Sequence, residues 1–152
     1  MFPFQNNREM NILLLAEQIA TRAHYGQYRR DGVTEYITHP AAIVKRLSNE
    51  DDDIKAIAWL HDVLEDTRVT ENMLRKEGIP EHIIKAVKLL TKPKHQSYEF
   101  YLERIRLNPM ARQVKIQDML HNLSDSPTTK QILKYANGLL MLHADSVIID
   151  IE

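Results

Sequence analysis

The chain contains no cysteine. A disulfide framework and a thiolate metal site are therefore excluded, and any metal must be held by imidazole and carboxylate ligands. Backbone breakers are scarce, with four glycines and six prolines in 152 residues, so long helical blocks can run between few interruptions. Neither sign of charge dominates. Lys and Arg number 20 against 21 Asp and Glu, for a net charge of −1, and no whole-molecule field argues for general nucleic-acid or membrane binding. No apolar run approaches the roughly 20 residues of a membrane span. The N-terminal MFPFQNNREMNILLL lacks the basic region of a secretory signal. These absences leave a cytoplasmic protein as the expectation.

What is present fits one domain over residues 1–152, with 43% apolar residues to build a core without staples. Apolar positions at Ile12, Leu13, Leu15, Ala16, Ile19, Ala20 and Ala23 predict a helix over 10–25. Gly26 to Thr38 reads as a loop, with Glu35-Tyr36-Ile37-Thr38 its only strand-like piece. Pro40 suits the first turn of a helix reaching about Leu47. The acidic run Asn49–Asp53 precedes Ile54, Ala56, Ile57 and Ala58, as at a helix N-terminus whose dipole favours negative charge. Further helices are predicted from Thr70 to Gly78, from Pro80 to Leu90, over 98–107, from Pro109 to Leu123, and from Ser126-Pro127 towards the C-terminus. The expected fold is an all-α compact bundle.

Within the third helix, Trp59 to Thr67 reads WLHDVLEDT. An apolar helical segment that carries one histidine and three carboxylates is unusual for a structural helix. His61 lies one turn from Glu65 and Asp62 one turn from Asp66, giving two adjacent polar columns. His39, at the mouth of the preceding helix, and Asp118, in the mostly apolar VKIQDMLHNL, add two further donors. Two imidazoles and two aspartates suit manganese or iron, with zinc as an option. Arg29 and Arg30 offer a local basic patch that a polyanionic ligand would need, and Lys115, Lys92 and Lys94 can extend it.

The segments HYGQYRRDGVTEYITHP (24–40), AIAWLHDVLEDT (56–67) and VKIQDMLHNL (114–123), in that order, resemble the HD superfamily of metal-dependent phosphohydrolases. More narrowly, they resemble the hydrolase domain of the Rel/Spo alarmone enzymes and of stand-alone small alarmone hydrolases. The resemblance spans about residues 10 to 125 and implies an HD-domain helical bundle. It implies that His39, His61, Asp62 and Asp118 hold one Mn2+, and that Glu65 and Asp66 handle the attacking water. It further implies that Arg29 and Arg30 contact purine and phosphates, and that Asn122 faces the nucleotide. Family members remove the 3′-pyrophosphate of guanosine tetra- and pentaphosphate. Two departures stand out: Gln117 where alanine is common, and Asp125 where some relatives carry a small or polar residue.

Each of these residues also has a plain structural reading. His39 can be a helix-start residue, Asp118 a surface aspartate, Glu65-Asp66 an acidic helix end, and Asn122 a C-cap. His24 and His121 are expected to be structural, with His121 facing away from the site. His82, His95 and His143 are expected at the surface. Leu139 to Leu142 is expected to be core or a self-association surface, which leaves a homodimer open. Two other functions compete with the alarmone reading. One is an HD phosphatase or nucleotidase acting on NADPH or a nucleoside monophosphate. The other is a nucleotide sensor without turnover.

Overall fold

The computed structural model describes residues 11–143, which form nine helices. They are α1 (Ile12–Ala23), α2 (Thr38–Arg46), α3 (Asp52–Leu60), α4 (Val63–Asp66), α5 (Glu71–Glu77), α6 (Glu81–Leu89), α7 (Tyr98–Arg106), α8 (Pro109–Ser124) and α9 (Thr129–Leu142). Among the described residues there is no strand, and the only β feature is an isolated antiparallel bridge between Tyr28 and Glu35. The all-α expectation therefore holds.

Most helix starts are written in the sequence. Asn11, Thr70, Ser97, Asn108 and Thr128 each accept a backbone N–H of the following first turn, satisfying a donor that the helix itself cannot. Thr128 and Gln131 complete a reciprocal capping box. Because of that box, the last helix starts at Thr129 rather than at Ser126-Pro127. α2 also starts earlier than predicted, at Thr38, with Pro40 inside its first turn. Thr38 is thus helical, and the strand-like piece at 35–38 reduces to the single bridge at Glu35. Met10, placed in the first helix by the periodicity, lies outside the described residues.

α3 is the hub. Its Ile54, Ala56, Ile57, Ala58, Trp59 and Leu60 are all buried, as in a helix that is apolar on every side. α1, α2, α6 and α8 pack around it. Ile43 of α2, Ile83, Ile84 and Val87 of α6, and Val114 and Met119 of α8 join it in one core. α9 closes the bundle against α7 and α8. There Gly138 lets two helices approach closely, since a Cβ at that position would come within 2.8 Å of Met119 Cε and 3.3 Å of Leu102 Cδ1. The outcome is a rigid scaffold in which the C-terminal end of α3 meets the N-terminal turn of α2 and the middle of α8.

Candidate active site

The quoted segment is not one helix. α3 stops at Leu60, His61 and Asp62 form a turn, and α4 resumes at Val63. No glycine or proline marks the break. Its physical cause is the His61 side chain, whose Nδ1 lies 2.7 Å from the carbonyl oxygen of Ala58. In an unbroken helix that carbonyl would accept the N–H of Asp62, so the imidazole competes with the backbone ladder. Of the two expected polar columns, Asp62 and Asp66 still stand together, with the Asp66 N–H donating to the Asp62 carbonyl at 2.9 Å and their side-chain oxygens within 4.8 Å, while the His61 ring turns to Ala58, Asp62 and Asp118. The turn brings His61 and Asp62 side by side, with His61 Nε2 2.9 Å from Asp62 Oδ2.

The other two predicted ligands converge on the same point. His39 Nε2 lies 2.8 Å from Asp118 Oδ1 and 3.9 Å from Asp62 Oδ2, and His61 Nε2 lies 3.6 Å from Asp118 Oδ1. His39, His61 and Asp62 each offer a donor atom within 4.8 Å of the others. A cation bonded at about 2.1 Å to such donors would separate them by roughly 3.0 to 3.4 Å, so the spacing fits a first-row divalent ion.

The donor chemistry fits as well. A carbonyl can only accept, so His61 carries a proton on Nδ1 and turns Nε2 towards two carboxylates. That atom is buried and has no aligned hydrogen-bond partner. Burial opposes charge on His61, but the Asp62 and Asp118 carboxylates outweigh it and raise its pKa well above the usual imidazole value. The site therefore favours a positive charge at this point. Burial would raise the pKa of Asp118 too, yet Lys115 and the two imidazoles hold it well below the ordinary range. His39 shifts the other way, lowered by burial in spite of its bond to Asp118.

Tyr36, which the sequence reading did not single out, donates its hydroxyl to Asp62 Oδ2. Burial and the neighbouring Asp62 raise its pKa, so it remains a phenol and a permanent donor. The one available signal is its place in the YITHP segment, three residues before His39. Lys115 Nζ sits 2.9 Å from Asp118 Oδ2 with only 14% of its side chain exposed. It thus engages one oxygen of Asp118 while the other faces the imidazoles. Asn122 does not cap α8, which runs to Ser124 with Asp125 as its C-cap. Its Nδ2 donates to Asp118 Oδ1 at 3.3 Å, and its Oδ1 lies 3.5 Å from Arg29 Nη2.

Arg29 and Arg30 sit on a turn between α1 and α2. Asp31 Oδ1 accepts the backbone N–H groups of Val33 and Thr34, and Gly32 takes φ 72°. The Thr34 hydroxyl and those two amides lower the Asp31 pKa to about 2. Arg29 Nη2 pairs with Asp125 Oδ2 at 2.9 Å, and the arginine packs over the Tyr36 ring. Both arginines line a cavity of about 600 Å³ with Thr38, His121, Ser124 and Asp125. His121 does not face away, as the sequence reading expects. Its Nδ1 lies 2.7 Å from His39 Nδ1, because three residues along α8 from Asp118 is the same helix face. His24 is buried as expected, with Nδ1 2.8 Å from Gln27 Oε1.

Glu65 and Asp66 end α4 and reach solvent. Glu65 Oε1 accepts the backbone N–H of Lys92 at 3.1 Å. Partial burial first, and Asp62 next, raise the pKa of Asp66; burial likewise raises that of Glu65 against the Lys92 amide. Asp62, Glu65 and Asp66 bring one oxygen each within 4.8 Å of one another. A carboxylate whose pKa is raised in the folded state disfavours that state once it ionises. The cost to stability is absent below the unfolded value near 3.9 and grows as pH rises from there through the raised folded value. Asp66→Asn is therefore expected to stabilise the chelator-treated protein at neutral pH. After solvent screening the gain is at most about 1 kcal/mol, and it disappears near pH 4. Urea melts at the two pH values measure this, and an equal effect at both would contradict it.

No protein-family model matches the chain. Over 112 residues, 70% of this chain, it is 37% identical to a guanosine-3′,5′-bis(diphosphate) 3′-pyrophosphohydrolase of Haemophilus influenzae, of which it covers 16%. Over 91 residues it is 37% identical to the protein of the same name from Borreliella burgdorferi, of which it covers 13%. The chain thus spans less than a fifth of the length of these relatives. Its fold matches a solved structure described as a metazoan ortholog of SpoT that hydrolyzes ppGpp, with a TM-score of 0.71 and 23% identity. That match takes in 93% of this chain and 88% of the other.

Proposed function

We propose that this chain, a member of the HD-domain hydrolases related to the Rel/Spo alarmone enzymes, removes the 3′-pyrophosphate from guanosine tetra- or pentaphosphate. The products are pyrophosphate and GDP or GTP. The observation that carries the reading is the convergence of two imidazole nitrogens and two carboxylates beside a cavity lined by two arginines. The substrate class is supported by the kinship to pyrophosphohydrolases of that specificity.

In this reading His39, His61, Asp62 and Asp118 hold a divalent cation, with Mn2+ the choice that suits their nitrogen and oxygen donors. When bound, the cation supplies Lewis acidity, which acidifies water and polarises a phosphoryl oxygen. The remaining work belongs to the chain. Tyr36 and Lys115 fix the two aspartates through one oxygen each, leaving their orientation little freedom. Arg29 and Arg30 neutralise substrate phosphates in the adjoining cavity, and the Arg29 plane is available to stack on the purine. Asn122, between Asp118 and Arg29, links the two halves of the site. Glu65 or Asp66 takes the proton of the attacking water, a role that suits carboxyl groups whose pKa burial has raised towards neutrality. The water oxygen adds to the phosphorus attached to the ribose 3′-oxygen. The phosphorus–oxygen bond to the sugar breaks, and the proton that the carboxylate took from water is handed to the sugar oxygen, which leaves as a hydroxyl.

A nucleotide panel with Mn2+, scored separately for pyrophosphate and orthophosphate, tests the proposal. Pyrophosphate release from guanosine tetraphosphate that stops on addition of chelator is expected. Orthophosphate release from NADPH or a nucleoside monophosphate would instead select an HD phosphatase. Tight nucleotide binding without turnover would select a sensor.

A further inference from the structure

We propose that His121 is a positioning residue that sets the tautomer of His39 and so opens or closes the cation site. The inference rests on the metal-centre reading of His39, His61, Asp62 and Asp118. The two ring nitrogens, His39 Nδ1 and His121 Nδ1, are 2.7 Å apart, and the ring centroids are 4.9 Å apart. A hydrogen bond at that distance requires one nitrogen to carry the proton and the other to accept it. Two neutral arrangements satisfy it. In one, His121 donates to His39, and His39 keeps its own proton on Nε2, where it donates to Asp118 Oδ1 at 2.8 Å. This arrangement closes the site, because a protonated ring nitrogen cannot ligate. In the other, His39 donates from Nδ1 to His121, and its bare Nε2 faces Asp118.

The comparison with His61 makes the point. His61 Nδ1 faces a backbone carbonyl, which accepts only, so that nitrogen always holds a proton and Nε2 is the one ring atom left to ligate. His39 faces a partner able to donate or accept. Passing from the closed to the open arrangement moves the His39 proton from Nε2 to Nδ1 and the His121 proton from Nδ1 to Nε2. No net charge is gained or lost. His121 also lines the arginine-walled cavity, so the residue that orients a ligand is within reach of whatever fills that space.

Three variants test this, with Mn2+ itself as the probe. The free ion is counted by electron paramagnetic resonance in titrations of the full chain. Replacing His121 by leucine removes the acceptor and is expected to weaken Mn2+ binding about 10- to 100-fold. His121→Asn places a carboxamide oxygen near the former Nδ1 and is expected to recover affinity to within a few-fold of the parent. His121→Gln, whose oxygen falls elsewhere, is expected to behave like the leucine variant. The tautomer is read independently from the imidazole 15N shifts of His39. Added Mn2+ broadens these signals, so diamagnetic Zn2+ replaces it there, and loading is expected to move the proton to Nδ1. Thermal melts in chelator separate loss of the hydrogen bond from loss of the fold. If the leucine variant fails to fold, the asparagine and glutamine variants carry the comparison.

Parent-like binding by the leucine variant overturns the proposal, and so does equal weakening in all three. A parent chain that binds no Mn2+ overturns the metal-centre reading and this inference with it. A parent that binds Mn2+ yet releases no pyrophosphate overturns the substrate reading alone and leaves the role of His121 standing.

Discussion

Asp62→Ala is expected to abolish pyrophosphate release, lowering turnover on the order of 10³-fold or more. Loss of a ligand forfeits several kcal/mol of charge stabilisation, and every 1.36 kcal/mol is tenfold in rate. Asp62 is a better choice than Asp118 for this test. Asp118 carries the buried ammonium of Lys115 on its second oxygen. Removing it would leave that charge unpaired and destabilise the fold by about 3 to 5 kcal/mol, confounding activity with stability. Beside the imidazoles, Asp62 Oδ2 contacts a neutral phenol, Tyr36, which tolerates losing its acceptor at lower cost. The expected signature is therefore specific: lost Mn2+ binding and lost turnover, with a near-parental melt in chelator. Retention of metal-dependent turnover by a well-folded Asp62→Ala protein would remove Asp62 from the ligand set.

The second large effect separates water handling from metal holding. Glu65→Gln, or Asp66→Asn, is expected to lower kcat by about 10²- to 10⁴-fold, the range for a positioned general base. Mn2+ affinity should stay within a few-fold of the parent, because both side chains sit beyond the four converging donors and reach solvent. Glu65 has a further anchor in the Lys92 amide, which glutamine can keep through its carbonyl oxygen. The amide variant thus removes proton affinity while holding the local geometry. Loss of activity matched by an equal loss of Mn2+ binding would reassign the residue to the metal; unchanged turnover would end the water-handling role for whichever carboxylate was replaced.

Much of the scaffold is legible in the chain because its rules are local. Asn11, Thr70, Ser97, Asn108 and Thr128 cap helices through their own side chains. The acidic Asp52 and Asp53 fall in the first turn of α3, where the dipole favours them. The ligand candidates were legible for a different reason. His39, His61 and Asp118 are polar side chains in apolar surroundings, and all three are buried. Such burial requires partners, and they are one another's neighbours. The break at His61 was not legible, because it arises from competition between an imidazole and a backbone amide for one carbonyl. Helical periodicity carries no trace of that competition. The role of His121 is hidden for a lesser reason. Its spacing from Asp118 put it on the right face of α8, but that face mattered only once α2 was packed against it.

His61 acts as a wedge as well as a donor. Were the ring gone, Ala58 and Asp62 would be free to close the missing rung, and α3 and α4 could zip into one rod. Closing that rung would draw the Asp62 backbone, now at φ −107° and ψ −1°, to regular helical angles and so turn its side chain relative to His39. The fold thus ties the presence of the imidazole to the aim of its neighbour. A histidine–aspartate pair at this spot is one mechanical unit, and neither residue can drift alone and leave the other in place.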